Sequence, residues 1–158
     1  MGIEIERKFL VSDPLPDEVL QSPCKRIRQG YLNYDKERCV RVRTVELDST
    51  LFAHAFITVK GKAKGLTRAE YEYEIPHEDG VNLLKLCMGS IIEKTRFLWK
   101  GWEVDVFEGE NRALVMAEIE LKSEDETFES PSWLGVEVSS DPRYTNLSLA
   151  QHPFGSWK

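Results

Sequence analysis

Apolar and charged residues alternate with a period of two in seven separate segments of the chain. In the first segment, Ile3 and Ile5 alternate with Glu4, Glu6 and Lys8. On a β-strand this spacing sends the apolar set to one face and the charged set to the other. The other segments cover residues 40–43, 57–60, 70–75, 94–97, 103–106 and 118–122. Two further strands are expected, an eighth around residues 135–139 and a less regular one around residues 27–34.

Helical signals are few, and three short helices are predicted. Residues 13–21 carry prolines near their start, and residues 80–88 place apolar side chains on one stripe with Gly89 as a C-cap. A terminal helix over residues 146–152 is expected to end before Pro153. Loops are expected at residues 47–50, 61–65, 108–111 and 123–132. The pattern indicates one α+β domain over residues 1–158, dominated by antiparallel β-strands.

The charged faces of these strands favour a closed barrel over an open sheet. A sheet with one face in the core and one in water is the simpler interpretation of each strand taken alone. It does not explain why the polar positions hold Glu, Arg and Lys in short same-sign runs, because neighbouring like charges repel. About eight strands closed into a barrel would instead enclose the charged faces in a space for side chains and one small ligand. A metal ion bound to a polyphosphate would balance such a mixture of charges.

Composition narrows the class of protein. The 158 residues carry 21 Lys and Arg against 27 Asp and Glu, a net charge of −6, and 41% of them are hydrophobic. No apolar stretch approaches the roughly 20 residues that span a bilayer, and no secretory signal is recognisable. The three cysteines, Cys24, Cys39 and Cys87, lack metal-ligand spacing, which favours a reducing, cytoplasmic setting. The net negative charge argues against nucleic-acid binding, and neither a P-loop nor a serine-hydrolase motif is present.

The motifs resemble one known family. The N-terminal EIERKFLV resembles the ExExK signature of the CYTH superfamily, also called triphosphate tunnel metalloenzymes. Further elements of the family pattern follow in order: VRVR at 40–43, TVKGK at 58–62, RAEYEYEIP at 68–76, IEKTRF at 92–97, WEVDVF at 102–107 and AEIEL at 117–121. The resemblance spans nearly the whole chain. The closing run of the sequence, at residues 135–150, is similar to that of the small bacterial members of the family. It implies an eight-stranded closed antiparallel barrel with a few peripheral helices.

The resemblance also implies roles for individual residues. It implies that a divalent cation, Mg²⁺ or Mn²⁺, is held by carboxylates at Glu4, Glu6, Glu118 and Glu120. Phosphates are expected to be bound by Lys8, Arg41, Arg43, Lys60, Lys94 and Arg96. Lys8, Arg41 and Arg43 are the expected catalytic residues, and whether Lys8 acts on water or on phosphate stays open. Glu70, Glu72 and Asp105 are expected as supporting tunnel carboxylates.

A shared cavity follows from these assignments. The four metal-site glutamates should point into it together with Arg41, Arg43, Lys60, Lys94 and Arg96. The apolar residues Ile3, Ile5, Val42, Val59, Val104 and Ile119 should pack outside it.

The predicted activity is metal-dependent hydrolysis of a small triphosphate, with inorganic triphosphate as the expected substrate. Other members of the family cyclise ATP to cyclic AMP or hydrolyse thiamine triphosphate or nucleoside triphosphates, and these alternatives stay open. A non-catalytic polyphosphate-binding module is the alternative from a different class. The sequence leaves the number of metals and the oligomeric state open, with a homodimer as one alternative. No membrane partner is expected.

Overall fold

The computed structural model describes residues 2–11, 14–47 and 52–157, which form nine strands and three α-helices. The strands are β1 Gly2–Val11, β2 Cys24–Tyr31, β3 Arg38–Leu47, β4 Ala53–Gly61, β5 Thr67–Ile75, β6 Met88–Trp99, β7 Trp102–Phe107, β8 Val115–Glu120 and β9 Leu134–Glu137. The α-helices are α1 Asp17–Leu20, α2 His77–Leu84 and α3 Asn146–Gln151. Short 3₁₀ helices lie at Gly109–Asn111, Pro142–Tyr144 and Phe154–Ser156.

The first eight strands form a closed antiparallel barrel, as predicted. Their order is β5-β4-β3-β2-β6-β7-β8-β1, and β1 also pairs with β5. The N-terminal part of β1 lies beside β5, with Gly2 opposite Glu70, while Glu6 further along lies opposite Glu120 of β8. Closure turns one face of every strand inward, so alternate residues of the charged segments meet inside the barrel.

The two further strands expected from the sequence are both present, but they have different places in the sheet. The strand expected around residues 135–139 is β9, which pairs with the end of β1 and lies outside the ring of eight. The less regular segment is β2, a full barrel strand paired with β3 and β6. Its alternation is weak in the sequence because apolar Ile27 and polar Gln29 occupy successive positions on one face, and both are buried.

The helices also differ in extent from their predictions. Helix α2 begins three residues earlier than expected, because Pro76 has the extended backbone of an N-cap and the helix follows directly. It ends at Leu84, so Gly89 is not its C-cap and lies in β6 with φ of 67°. Helix α1 is shorter than the predicted segment, whose residue 13 lies outside the described residues. Helix α3 ends at Gln151, close to the expected end before Pro153.

The loop predicted at residues 47–50 lies outside the described residues except for its first residue, which ends β3.

Helix α2 covers the outer face of β3 and β4. A Cβ on Gly80 would lie 2.4 Å from the Cβ of Ala55 and 3.2 Å from the Cγ2 of Thr44, so glycine permits this close approach. Val42, which shares the outer face of β3, is fully buried, whereas Ile3 at the start of β1 is 66% exposed. The outer apolar residues are therefore covered unevenly.

Two apolar clusters hold the barrel and its peripheral segments together. One joins Phe9, Trp102 and Val104 on the outer face to α1 through Val19 and to the segment at residues 128–134. The other joins inward residues of the strands, such as Tyr31 and Met116, to Leu149 and Ala150 of α3. Helix α3 therefore packs against one end of the barrel interior. Within the described residues, no helix is long and apolar enough to cross a membrane.

Candidate functional site

Two adjoining cavities lie within the barrel and at its end. The first cavity, of about 520 Å³, is lined by Glu4, Glu6, Arg41, Arg43, Lys60, Arg96, Glu118 and Glu120, with Lys25, Glu70, Glu72, Glu103, Asn146, Gly2 and Ile3. The second cavity, of about 530 Å³, is bordered by Lys8, Tyr31, Arg68 and residues 139–148 among others. Eight of the nine charged residues expected in one cavity therefore meet in the first, and Lys94 does not. The expectation that Ile3 packs outside this cavity is wrong, because Ile3 lies at the exposed start of β1 and borders it.

Cations from four neighbouring strands, β4, β3, β2 and β6, converge on the first cavity. Arg41 is 7% exposed and donates through Nη2 to Thr58 Oγ1 at 3.1 Å and to Glu72 Oε2 at 3.2 Å. The buried Nε of Arg41 has no hydrogen-bond partner in the described part of the chain. Arg43 donates through Nε to Gln29 Oε1 at 2.8 Å. An anion in the cavity would supply the partner that Arg41 Nε lacks.

The concentration of positive charge is visible in the pKa of Arg43. Burial lowers that pKa to about 9, and the nearby charges of Arg41 and Arg96 lower it in the same direction. The group is still a cation at neutral pH, but its charge is poorly compensated by the protein alone. A multiply charged anion bound among these arginines would remove that imbalance.

Lys94 lies behind the cavity instead of lining it. Its side chain is fully buried, and its Nζ donates to Asp105 Oδ2 at 2.7 Å and to Asn146 Oδ1 at 3.2 Å. Asp105, also fully buried, accepts two further hydrogen bonds from Arg96, through Nε to Oδ1 at 2.7 Å and through Nη2 to Oδ2 at 2.8 Å. Burial opposes ionisation of Asp105, but Arg96 and Lys94 outweigh it and lower its pKa well below the ordinary range. Asp105 thus fixes Arg96 in place, and neither Asp105 nor Lys94 borders the first cavity.

The carboxylates repel one another on the opposite side of the first cavity. Glu118, burial and Glu4 together raise the pKa of Glu6 to about 7. Burial and a hydrogen bond with Glu70 raise the pKa of Glu4, although Lys60 lies 2.6 Å from its Oε1. Burial also raises the pKa of Glu120, and Glu4 adds to the effect. Among the residues the structure describes, no three acidic, histidine or cysteine side chains form a ready-made ligand cage for a metal.

Glu118 and Lys8 form a separate pair between the two cavities. Burial would raise the pKa of Glu118, but Lys8 and Arg96 outweigh burial and lower it. Lys8 Nζ lies 3.7 Å from Glu118 Oε1 and donates to the carbonyl oxygen of Tyr144 at 3.2 Å. Lys8 borders the second cavity, so it is close to the first cavity without lining it.

Several residues of the two cavities were missed from the sequence. Glu103 shares the inner face of β7 with Asp105, Lys25 of β2 lies directly opposite Arg96 of β6, and Arg68 lies directly opposite Glu4 on β5. The period-two pattern could have identified them once the strands were aligned. Asn146 could not have been found in this way, because it reaches the cavities from α3 and not from a strand.

The closed barrel with a charged interior defines a class of protein that binds a polyanion within a tunnel. Its family is shown by the CYTH domain model, which matches residues 2–152, and the chain belongs to that family. An inorganic triphosphatase of Acetivibrio thermocellus is 44% identical over 100% of this chain and 99% of its own length. An inorganic triphosphatase of Nitrosomonas europaea is 37% identical over 93% of this chain and 96% of its own length. The crystal structure of the inorganic triphosphatase NE1496 aligns with a TM-score of 0.62 and 36% identity, over 93% of this chain and 97% of that one.

Proposed function

We propose that this protein hydrolyses inorganic triphosphate to pyrophosphate and phosphate in the first cavity. The observation that carries this proposal is the convergence of Arg41, Arg43, Lys60 and Arg96 on a cavity that carboxylates line as well. Phosphoryl transfer requires positioning and charge stabilisation around the phosphates more than covalent chemistry by the protein. Relatives at 44% and 37% identity carry the name inorganic triphosphatase, which supports the same substrate.

The arginines suit a substrate made only of phosphates. A guanidinium group can donate two parallel hydrogen bonds to phosphate oxygens, while Lys60 supplies a point charge. Arg96 is held by Asp105 and Arg43 by Gln29, so both are oriented before the substrate arrives. Such pre-orientation lowers the conformational entropy lost on binding.

The carboxylates fit a hard divalent cation such as Mg²⁺ or Mn²⁺. Glu4, Glu6 and Glu120 have raised pKa values because they lie close to other carboxylates in a buried region, and a cation would relieve that repulsion. Such cations prefer carboxylate, water and phosphate oxygens. A bound cation would supply charge neutralisation of the phosphates and activation of a water molecule. Lys60 would exchange its contact with Glu4 for a phosphate when cation and substrate bind.

Lys8 is proposed as a catalytic residue at the boundary between the cavities. Its ammonium is held by Glu118 and the carbonyl oxygen of Tyr144, so its position is fixed by β8 and the C-terminal segment. From there it can donate a hydrogen bond to a terminal phosphate or to the attacking water. As a fixed cation it would stabilise charge that develops on phosphate oxygens.

A substrate panel tests the proposal. With Mg²⁺ present, inorganic triphosphate should be hydrolysed with a higher kcat/KM than ATP, GTP or thiamine triphosphate, because their organic groups add bulk without dedicated partners. Pyrophosphate should be a poor substrate, since it spans fewer of the cations.

Arg43→Ala should raise the KM for inorganic triphosphate and for ATP by a similar factor, about 10- to 100-fold for a lost hydrogen bond to a charged group. Arg112→Ala, at an exposed arginine outside both cavities, is the matched control.

The same panel can contradict the proposal. Faster turnover of ATP than of inorganic triphosphate, with cyclic AMP as the product, would assign the site to a cyclase. Binding of inorganic triphosphate without turnover of any member of the panel would assign it to a non-catalytic polyphosphate-binding module.

A further inference from the structure

One residue outside the barrel strands lies where the two cavities meet. The cavities share Glu4, Glu6, Arg41, Lys60 and Asn146 among their lining residues. The first four belong to barrel strands and to the proposed binding machinery. Asn146 is the first residue of α3, so the C-terminal segment carries its side chain to the same level of the tunnel.

The contact with Lys94 fixes the orientation of the Asn146 amide. Lys94 Nζ lies 3.2 Å from Oδ1, and a lysine ammonium beside a carboxylate can only donate. The oxygen of the amide must therefore face Lys94, which leaves the Nδ2 group to point elsewhere. This NH₂ group makes no hydrogen bond within the described residues, although the side chain borders both cavities.

Asn146 is not needed to hold α3 in place. Leu149 and Ala150 of the helix are buried in an apolar cluster with inward residues of the barrel. Thr145 Oγ1 accepts a hydrogen bond from the backbone N–H of Ser148, which caps the helix. Tyr144, just before the helix, is buried and packs edge-on against Trp157. The helix is anchored on both sides of Asn146 by other groups, so the Asn146 amide is available for a ligand.

We propose that Asn146 is a substrate-binding residue that donates a hydrogen bond from Nδ2 to a phosphate oxygen of the triphosphate. This inference rests on the proposed function. The free NH₂ group lies at the same junction as Arg41, the proposed anion ligand, and Glu4 and Glu6, the proposed cation ligands. A neutral donor suits this position, because it binds a phosphate oxygen without repelling the metal. Lys94 acts through it as a positioning residue, since the ammonium keeps the amide nitrogen turned toward the substrate.

Two substitutions separate substrate binding from a purely structural contact with Lys94. Asn146→Asp keeps the acceptor for Lys94 and nearly the same shape, but it replaces the donor by a negative oxygen. Asn146→Ala removes both groups. If Asn146 binds phosphate, Asn146→Ala should raise the KM for inorganic triphosphate about 10- to 100-fold, and Asn146→Asp should raise it further. Each melting temperature should stay within about 5 °C of wild type, since at most one hydrogen bond is lost.

The control is Gln151→Ala, at the end of the same helix and outside the lining of both cavities. It should leave KM and melting temperature at their wild-type values. A wild-type KM in Asn146→Ala, or a KM in Asn146→Asp at or below the wild-type value, would overturn the assignment. Absence of triphosphate turnover by the wild-type protein would instead contradict the proposed function. In that case, calorimetric Kd values for inorganic triphosphate with the same variants still test Asn146.

Discussion

Replacing Glu6 with glutamine should abolish most metal-dependent hydrolysis and leave the metal-free protein more stable than wild type. Glutamine keeps the size of the side chain but removes the negative oxygen that a divalent cation requires. Turnover of inorganic triphosphate at saturating Mg²⁺ should fall by about 100-fold or more, since even indirect partners of metal sites are typically worth 10- to 100-fold.

The gain in stability has a separate cause. At pH 8 and without metal, the Glu6 carboxylate is ionised in a buried position next to Glu118 and Glu4, and Glu118, burial and Glu4 together raise its pKa to about 7. Glutamine removes this repulsion, so the free energy of unfolding of the metal-free protein should rise by about 1–3 kcal/mol. Urea denaturation in the presence of chelator measures this change.

Glu129→Gln is the matched control for the loss of one negative charge, because Glu129 is exposed in the loop before β9. It should change neither turnover nor the free energy of unfolding. Wild-type turnover by the Glu6→Gln variant at saturating Mg²⁺ would remove Glu6 from the metal site. A lower free energy of unfolding for that variant without metal would show that Glu6 stabilises the fold in its ionised form.

Replacing Asp105 with alanine should produce the largest loss of stability in the barrel. Asp105 is fully buried and accepts hydrogen bonds from Lys94 and Arg96, which are 0% and 7% exposed in their side chains. Alanine would leave these two cations buried without their carboxylate. Breaking a buried ion pair by removing one partner destabilises proteins by about 3–5 kcal/mol. The free energy of unfolding from urea denaturation should fall by that amount.

Glu103→Gln provides the comparison on the same strand. Glu103 Oε2 accepts a hydrogen bond from Arg96 Nη1 at 3.0 Å, but its side chain is 37% exposed, so water can replace it. Its replacement should change the free energy of unfolding by less than about 1 kcal/mol. Equal losses in the two variants would mean that the buried position of Asp105 has no special importance for stability.

The inner surface of the barrel was largely predictable from the sequence. Period two places Glu4, Glu6, Arg41 and Arg43 on the charged faces of their strands, and these are the faces that the barrel turns inward. Closure into a barrel was expected because it would enclose these charged faces and because the motifs resemble the CYTH superfamily. Strand β2 was harder to identify, since its inner face mixes apolar and polar residues.

The partners of individual charges could not be predicted in the same way. The sequence puts Lys94 and Arg96 on one face of β6, but it does not say which will reach the cavity. That outcome depends on register: Arg96 lies opposite Asp105, so the carboxylate can bind both cations, and Lys94 is held beneath the cavity lining. Asn146 depends on how α3 docks against the barrel, and no local pattern records that contact.

The most direct test of the account is to follow inorganic triphosphate by ³¹P nuclear magnetic resonance in the presence of the wild-type protein. With Mg²⁺ or Mn²⁺, the signals of triphosphate should be replaced by those of pyrophosphate and phosphate in equal molar amounts, and excess chelator should stop the reaction. Triphosphate that persists unchanged with either cation, or hydrolysis that continues at the same rate in chelator, would contradict the assignment of a metal-dependent triphosphatase.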